Sequence, residues 1–441
     1  MDVSEKIGVK VPRILLPGRS VDLTRWAVIA CDQFTSQPEY WERVDEFVGD
    51  APSTLRMILP EVWLHSPDVQ TRIQATQQAM RQYLQDGIFD AQDGFVLVER
   101  EHSGQTQTGL MVALDLESYD YNKKSQTLIR ATEGTILDRL PPRMQVRRGA
   151  PLELPHILVL YDDPQFKVLE KVLEEKARLP LCYDFDLMFG SGHLQGWRVS
   201  ETDLVSSVLA GLSALIEAPA FTEKYQLGEG TPPLLFAMGD GNHSLATAKA
   251  IWEELKPSVG MDHPARYALV EIVNLHDPAI SFEAIHRVLF NVPPDFLQQL
   301  EYAFAPEIRL TRGLTFDQLS EAVLTVDQHS QKIGCVLGSD LVLIELTRPS
   351  HNLPVGSLQA FLDDYLTRHP ETKIDYVHGD ETVHELGSQP GNIGFFLPPI
   401  TKDSFFKTVI VDGALPRKTF SMGHAKDKRF YMECRRINLE S

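Results

Sequence analysis

Short apolar runs of strand length alternate irregularly with segments of helical period, and this pattern limits the fold more than any other feature of the chain. Five runs carry strand character: Phe95–Val98, Leu110–Leu114, Ile157–Tyr161, Leu234–Met238 and Tyr267–Val273. Helix signals lie between them. Ser36-Gln37-Pro38-Glu39 has the form of a capping box with Pro38 in the first turn, and Trp41, Val44 and Phe47/Val48 follow at helical spacing. Ser66-Pro67-Asp68 opens a second helix, with Val69, Ile73, Met80 and Leu84 on its apolar stripe and Gly87 as its stop. Asp163-Pro164 predicts a third, with Phe166, Leu169, Val172 and Leu173 pointing inward. The irregular order favours an α+β (mixed α/β) fold over a doubly wound one. No run is long enough to span a bilayer, so a membrane is not an expected partner.

After Asn291 the texture changes. Pro293-Pro294 breaks the chain, and helices (Phe316–Val323, Leu358–Leu366) and strands (Lys332–Leu337, Leu341–Leu346) follow. The expected division is therefore 1–292, an N-terminal and core region, and 293–441, a C-terminal α/β region. No internal repeat or heptad pattern is present.

Charge narrows the partners. Lys+Arg number 42 and Asp+Glu 61, a net charge of −19. A field of that sign repels phosphate backbones and anionic surfaces, which argues against nucleic acid. A small anionic metabolite or nucleotide would need cations gathered locally. The first ten residues hold no apolar segment of the signal-peptide kind, and Cys31, Cys182, Cys335 and Cys434 are scattered without metal or redox spacing. They read as reduced thiols of a cytoplasmic protein. The oligomeric state is not fixed, and a homo-oligomer is compatible with the sequence.

The most informative stretch runs from Leu234 to Leu255. It has the form of a strand, a tight turn and a helix. Gly239 and Gly241 permit a positive φ or a close backbone approach. The helix beginning near Ser244 aims its free N–H groups into the turn, and such an end suits an anion. Asp240 is a candidate metal ligand, and His243 a candidate hydrogen-bond donor to a phosphate or proton carrier. The competing interpretation is that Asp240 or Asn242 caps the helix and the glycines only make the turn. No Gly-Lys-Ser/Thr follows, so this is not a P-loop.

A second cluster supplies cations. Arg130, Arg139, Arg143, Arg147 and Arg148 fall within nineteen residues, with Glu133 and Thr135 among them. Arginine suits bidentate phosphate or carboxylate contacts, and Glu133 suits a general base toward a hydroxyl. Equally, the arginines could pair with the surplus carboxylates as a solvated basic loop. Weaker candidates are Asn274, the His286-Arg287 pair, and Ser191-Gly192-His193, a loop over a ligand or simply a hairpin. Cys31-Asp32-Gln33 and its polar continuation to Gln37 follow an apolar run and could line a pocket. Lys418–His424 and the basic residues from Arg417 to Arg436 could add cations from the C-terminal part. Zinc-type spacing, His-Glu-x-x-His, Gly-x-Ser-x-Gly and Gly-x-Gly-x-x-Gly are all missing from the sequence, which removes support from metalloprotease, α/β-hydrolase and simple dehydrogenase readings.

These residues resemble the bacterial and archaeal family of domain of unknown function 1015. Its Asp-Gly-His-His-Arg turn is matched by Asp240-Gly241-Asn242-His243-Ser244. Its Glu-x-Thr and Asp-Arg are matched by Glu133-Gly134-Thr135 and Asp138-Arg139. A later Asn…Asp-Pro…His-Arg is matched by Asn274, Asp277-Pro278 and His286-Arg287. The turn is similar to that of ParB/sulfiredoxin-like nucleotide-binding domains, a group that includes free serine kinases. The resemblance implies a ParB/sulfiredoxin-like core with a C-terminal α/β extension. It implies nucleotide-dependent phosphoryl transfer to a small hydroxyl metabolite such as serine, with Mg²⁺ and ATP or ADP. In that picture Glu133 is the base, and Asp240 and His243 act with it, Asp240 at the metal. The resemblance puts Gly241 and His243 at the phosphate; beside it, the residue-level candidates for phosphate and nucleotide are Arg130, Thr135, Arg139, Gly241, Asn242, Ser244, His286 and Arg287, and for substrate Asn274 and His193.

Two departures stand out: Asn242 replaces the first motif His, and Ser244 replaces the Arg. The lost guanidinium removes a charge-assisted contact of ~1.5–3 kcal/mol, for which another cation must substitute. The alternatives are a non-catalytic nucleotide- or metabolite-binding regulator, or a phosphoester hydrolase acting on phosphoserine-like substrates.

Overall fold

The computed structural model describes residues 3–325, 330–421 and 428–438. The chain forms two compact units, Met1–Ile280 with Gly423–Ser441, and Ser281–Met422. The sequence pointed to a boundary near 293; the division instead falls at 280/281, and the C-terminal segment rejoins the first unit. Pro293-Pro294 only leads into the helix Phe296–Phe304 inside the second unit, whose sheet has already begun at His286.

The first unit is built on a ten-stranded mixed sheet. In chain order its strands are β1 (Val9–Lys10), β2 (Phe95–His102), β3 (Gln105–Asp115), β4 (Tyr119–Asp120), β5 (Ile129–Arg130), β6 (Leu158–Tyr161), β7 (Leu181–Asp186), β8 (His193–Val199), β9 (Phe236–Asp240) and β10 (Tyr267–Asn274). They pair in the order β7-β8-β2-β3-β10-β6-β9-β5-β4, with β1 added on β3. Each of the five apolar runs supplies a strand of this sheet, although Ile157, Leu234 and Leu235 precede their strands, and the fold is α+β. The pleat sends alternate side chains to opposite faces. Phe95, Leu97, Leu110 and Val112 enter one apolar cluster, whereas Val96, Val98 and Met111 enter another.

Helices cover both faces. The first cluster is closed by α4 (Thr202–Ala214) through Leu204, Val208 and Leu212, and by α5 (Asn242–Val259) through Leu245, Ala248 and Trp252. The second receives Trp41, Val44 and Val48 of α1 (Pro38–Val48) and Met80 of α2 (Val69–Gln85). A short helix α3 (Leu140–Arg147) follows the arginine-rich loop. Pro38 occupies the first turn of α1 as expected, but its N-cap is Gln37 and makes no side-chain bond, so the Ser36 capping box does not form. The expected third helix shrinks to Glu170–Glu174. The Asp163 carboxylate accepts from the Gln165 and Val168 N–H groups, which gives the backbone a local alternative to helix. Phe166 and Leu173 are consequently exposed, while Leu169 and Val172 are buried.

The second unit carries a six-stranded antiparallel sheet. Its strands β11 (His286–Phe290), β12 (Ile308–Arg312), β13 (Gln331–Leu337), β14 (Asp340–Leu346), β15 (Lys373–Val377) and β16 (Ile393–Phe396) pair in the order β12-β14-β13-β16-β11-β15. Val288, Leu319, Val323, Val383 and Phe396 form an apolar core there.

Candidate functional site

The turn between β9 and α5 is built as its glycines require. Gly241 has φ +78°, the left-handed region, and a Cβ there would sit 3.1 Å from the Ile157 Cα. At Gly239 a Cβ would press on Leu158. The Asp240 Oδ1 accepts from the Gly241 N–H at 2.8 Å, and α5 begins at once, with Ser244 and Leu245 donating to the Gly241 carbonyl.

The loop of Glu133 is tied to the same corner on both sides of the glutamate. Thr132 Oγ1 donates to the Met238 carbonyl at 2.7 Å, and the Ile136 N–H donates to His243 Nε2 at 3.4 Å. The two sequence motifs therefore meet, bringing Glu133, Thr135, Asp240, Gly241, Asn242, His243 and Ser244 into one neighbourhood. Within it, Thr135 Oγ1 and Asn242 Oδ1 are buried without a hydrogen-bond partner among the described residues, a rarity in packed protein.

His243 is neutral. Burial and the nearby Arg143 and Arg139 push its pKa down to about 4, against a smaller opposing effect of Asp32. With Nε2 accepting from Ile136, the remaining proton sits on Nδ1. At neutral pH the side chain thus offers a hydrogen bond without positive charge.

The arginine cluster divides. Arg130 donates to the carbonyls of Thr127, Pro232 and Pro233, and burial lowers its pKa to about 10. Arg143 pairs with Glu61, Arg147 with Glu153 and Arg148 with Glu254. Arg139, exposed beside His243, has no carboxylate partner among the described residues. Another cation arrives from far along the chain: Lys428 Nζ lies 2.9 Å from Asp240 Oδ2. It stands at the acidic member of the motif whose own arginine is replaced by Ser244.

Ser244 has a different partner. Its Oγ lies 3.0 Å from His156 Nε2, and His156 Nδ1 lies 2.9 Å from the Tyr431 hydroxyl, which accepts from the Cys31 N–H at 3.1 Å. Asp32 Oδ2 is 3.9 Å from His156 Nε2. Cys31 is held protonated by burial, reinforced by Asp32 and Glu61. Of the stretch Cys31–Gln37, which could line a pocket, Cys31 does so. Lys428 is one of the basic C-terminal residues expected to add cations, whereas the sequence does not single out His156, Tyr431 or Glu61. None of these three carries a local signal: Glu61 meets Arg143 from a short turn far along the chain, and His156 and Tyr431 meet only because the C-terminal segment returns to the first unit.

Other candidates lie elsewhere. His193, on β8, sits between Asp186 (2.7 Å) and Asp184 (2.8 Å), and these hydrogen bonds, Asp186 first, raise its pKa. Four strands separate β8 from β9, so His193 belongs to a hairpin away from the corner. Asn274 is buried and bonds the backbone of Asp163 and His276. His286 and Arg287 are in the second unit. There His286 stacks on Phe396 and accepts from the Leu397 N–H, and burial lowers its pKa. Arg287, fully buried, bonds Gln359 and the Ile285 and Arg417 carbonyls.

Two of the basic C-terminal residues are taken up in buried ion pairs. Arg429 is buried between Glu271 and Glu433, and Arg435 on Glu153. Phe420–Ser421 forms a two-residue strand against Glu283–Ala284, while Met422–His424 and Lys426 lie outside the described residues.

Among the described residues no group of three or more His, Cys, Asp and Glu side chains is placed to hold a metal. Asp240 presents a single carboxylate. That suits Mg²⁺ only in its usual mode with nucleotides, in which one or two carboxylates, water and phosphate oxygens complete the shell. No helix among the described residues is long and apolar enough to cross a membrane.

No curated protein matches the chain. Among solved structures it is similar to a free serine kinase in complex with AMP, at 9% identity and TM-score 0.38, covering 73% of this chain and 90% of that one. A variant of a free serine kinase in complex with ADP gives 9% and 0.39, covering 73% and 91%. A conserved hypothetical protein from Pyrococcus furiosus gives 11% and 0.36, covering 75% and 96%. The model of the family described as "Protein of unknown function (DUF1015)" matches residues 15–365, most of the sequence, and the chain belongs to that family.

Proposed function

We propose that the corner between β9 and α5 binds a nucleotide, ATP or ADP, and serves phosphoryl transfer to a small hydroxyl metabolite such as serine. The observation that carries this is the pair of buried, unpartnered atoms Thr135 Oγ1 and Asn242 Oδ1, one from each motif, beside Arg139 and the Lys428–Asp240 pair. Hydrogen-bonding capacity left unmet within a half-buried corner that holds Arg139 and Lys428 suits a polar anionic ligand.

Each residue then has a task. Arg139 and Lys428 offset phosphate charge, in place of the arginine that Ser244 replaces. His243, uncharged, holds the loop to the turn and presents Nδ1–H. Glu133 takes the proton of the acceptor hydroxyl as the new O–P bond forms and the bridging O–P bond of the donor breaks toward the nucleotide. Mg²⁺ bound at Asp240 would neutralise charge on the phosphate oxygens. A nucleotide-using reaction and four unpaired cysteines suit a cytoplasmic protein.

The test is thermal unfolding with Mg-ATP or Mg-ADP and L-serine, followed by ³¹P detection of phosphoserine. Saturation near 100 Kd adds about 2.7 kcal/mol to stability. Glu133→Gln is expected to keep that stabilisation and lose turnover. Absence of stabilisation by either nucleotide overturns the proposal. One observation favours a second reading, a binding protein without turnover: Ser244 hydrogen-bonds His156 where the motif has a phosphate-binding Arg. Stabilisation without phosphoserine would select it, and phosphate release from phosphoserine would select hydrolysis.

A further inference from the structure

Beside the corner lies a cavity of ≈ 140 Å³. Most of its wall is aliphatic, with Met57, Ile58, Leu59 and Met80 facing Leu152 and Leu269. All six are buried. Its polar wall belongs to the corner: Cys31, Arg143, His156, Ser244 and Tyr431. Of these, Cys31, Arg143 and Ser244 are partly exposed, as are Val146 and Leu154 of the aliphatic wall.

The charges on this wall are already balanced. Arg143 pairs with Glu61 and Arg147 with Glu153, and all four line the space. A phosphate placed inside would lose its hydration among aliphatic side chains without gaining an unpaired cation. An uncharged group suits it better. Packed interiors leave few voids larger than a water molecule. A dry aliphatic cavity of about 150 Å³ is known to take a benzene ring, so this one matches a single ring in size. The thioethers of Met57 and Met80 add the sulfur–aromatic contacts such a ring favours.

We infer that this cavity is the side-group pocket of the small-molecule substrate, and that the substrate is a hydroxyl compound carrying one aromatic ring. The ring enters between Met57–Leu59 and Leu152, and the hydroxyl remains at the polar wall facing the corner. The inference rests on the phosphoryl-transfer proposal for the role of that hydroxyl, but not for occupancy of the pocket. Serine can still present its hydroxyl at the corner but leaves this pocket empty, so it is expected to be the slower acceptor.

The experiment uses the full chain with ¹³C-methyl methionine and no nucleotide. Benzyl alcohol is the aromatic probe, with isobutanol and L-serine as comparisons. Saturable shifts of the Met57 and Met80 methyl signals are expected with benzyl alcohol, weaker ones with isobutanol and none with serine. Ala150→Leu, which fills the buried wall, is expected to weaken benzyl alcohol at least tenfold and leave stabilisation by Mg-ADP intact. Leu59→Phe does the same from the opposite side if the first variant fails to fold. Absence of a saturable shift in the parent chain overturns the inference, as does unchanged affinity in a folded filled variant. If benzyl alcohol binds but no nucleotide does, the pocket stands and phosphoryl transfer falls.

Discussion

His243 shows what a single residue contributes and what its letter conceals. From sequence it reads as a hydrogen-bond donor to phosphate or a proton carrier. In place, burial and two guanidiniums hold it neutral, with a pKa of about 4. The sign of its linkage follows. The unfolded chain takes up this proton near pH 6.5, the folded chain only near 4, so the neutral imidazole contributes stability above 6.5 that is lost as pH falls from 6.5 to 4. Denaturant unfolding of His243→Gln is therefore expected to lose less stability between pH 7 and pH 5 than the parent chain. Arg143→Gln should move the His243 titration, followed by NMR, upward from 4; an unmoved titration would remove the arginine as a cause. Gly241 was the more legible residue, since only a left-handed turn or a close approach explains a glycine at that point. Both are present, and Gly241→Ala is expected to lose ~1–3 kcal/mol in urea unfolding.

At the scale of elements, sequence pattern succeeded wherever one period dominated. The expected strands at Phe95, Leu110, Tyr267, Lys332 and Leu341 are all present, as are helices over Phe316–Val323 and Leu358–Leu366. It failed at Asp163, where side chain-to-backbone bonds outcompete the helix, and at the C-terminal segment, where chemistry depends on distant partners. Arg429 and Arg435 have the composition of a basic tail, yet both are buried ion-pair members fixed to β10, α3 and their surroundings by carboxylates no local pattern links to them. The Glu271 side chain also passes directly over Gly109 of β3, where a Cβ would lie 2.1 Å from its Oε1, so this strand glycine makes room for the ion pair. Removing one partner of a buried ion pair leaves an uncompensated charge. Arg429→Met should thus lose ~3–5 kcal/mol at pH 8, measured by urea unfolding. Burial already raises the Glu271 pKa, so protonation relieves the exposed charge early and the loss should be smaller at pH 5. An equal loss at both pH values would assign the effect to packing alone.

For the whole molecule, the −19 charge and the Pro293-Pro294 break pointed to an acidic protein in two successive halves. The acidic excess is real, and most of the clustered arginines are neutralised by it; at the corner Lys428 is paired with Asp240, and Arg139 has no carboxylate partner among the described residues. The division is an insertion: Ser281–Met422 interrupts a unit that resumes afterwards. Single-sequence patterning sees elements in order and so cannot register a chain that leaves a sheet system and returns to it. The ends of the inserted unit are adjacent, because Glu283 pairs with Ser421 and Ala284 with Phe420 across two antiparallel strands. The unit has its own sheet and apolar core, the conditions for independent folding. Ser281–Met422 expressed alone should therefore melt cooperatively. Every residue assigned to the corner, from Cys31 to Tyr431, lies in the other unit. A chain in which a short Gly-Ser link joins Ile280 to Gly423 should accordingly keep the stabilisation by Mg-ADP seen with the full chain. Loss of that stabilisation in a folded, excised chain would mean that residues 281–422 supply part of the nucleotide site, and that the buried His286 and Arg287 do more than hold their own sheet.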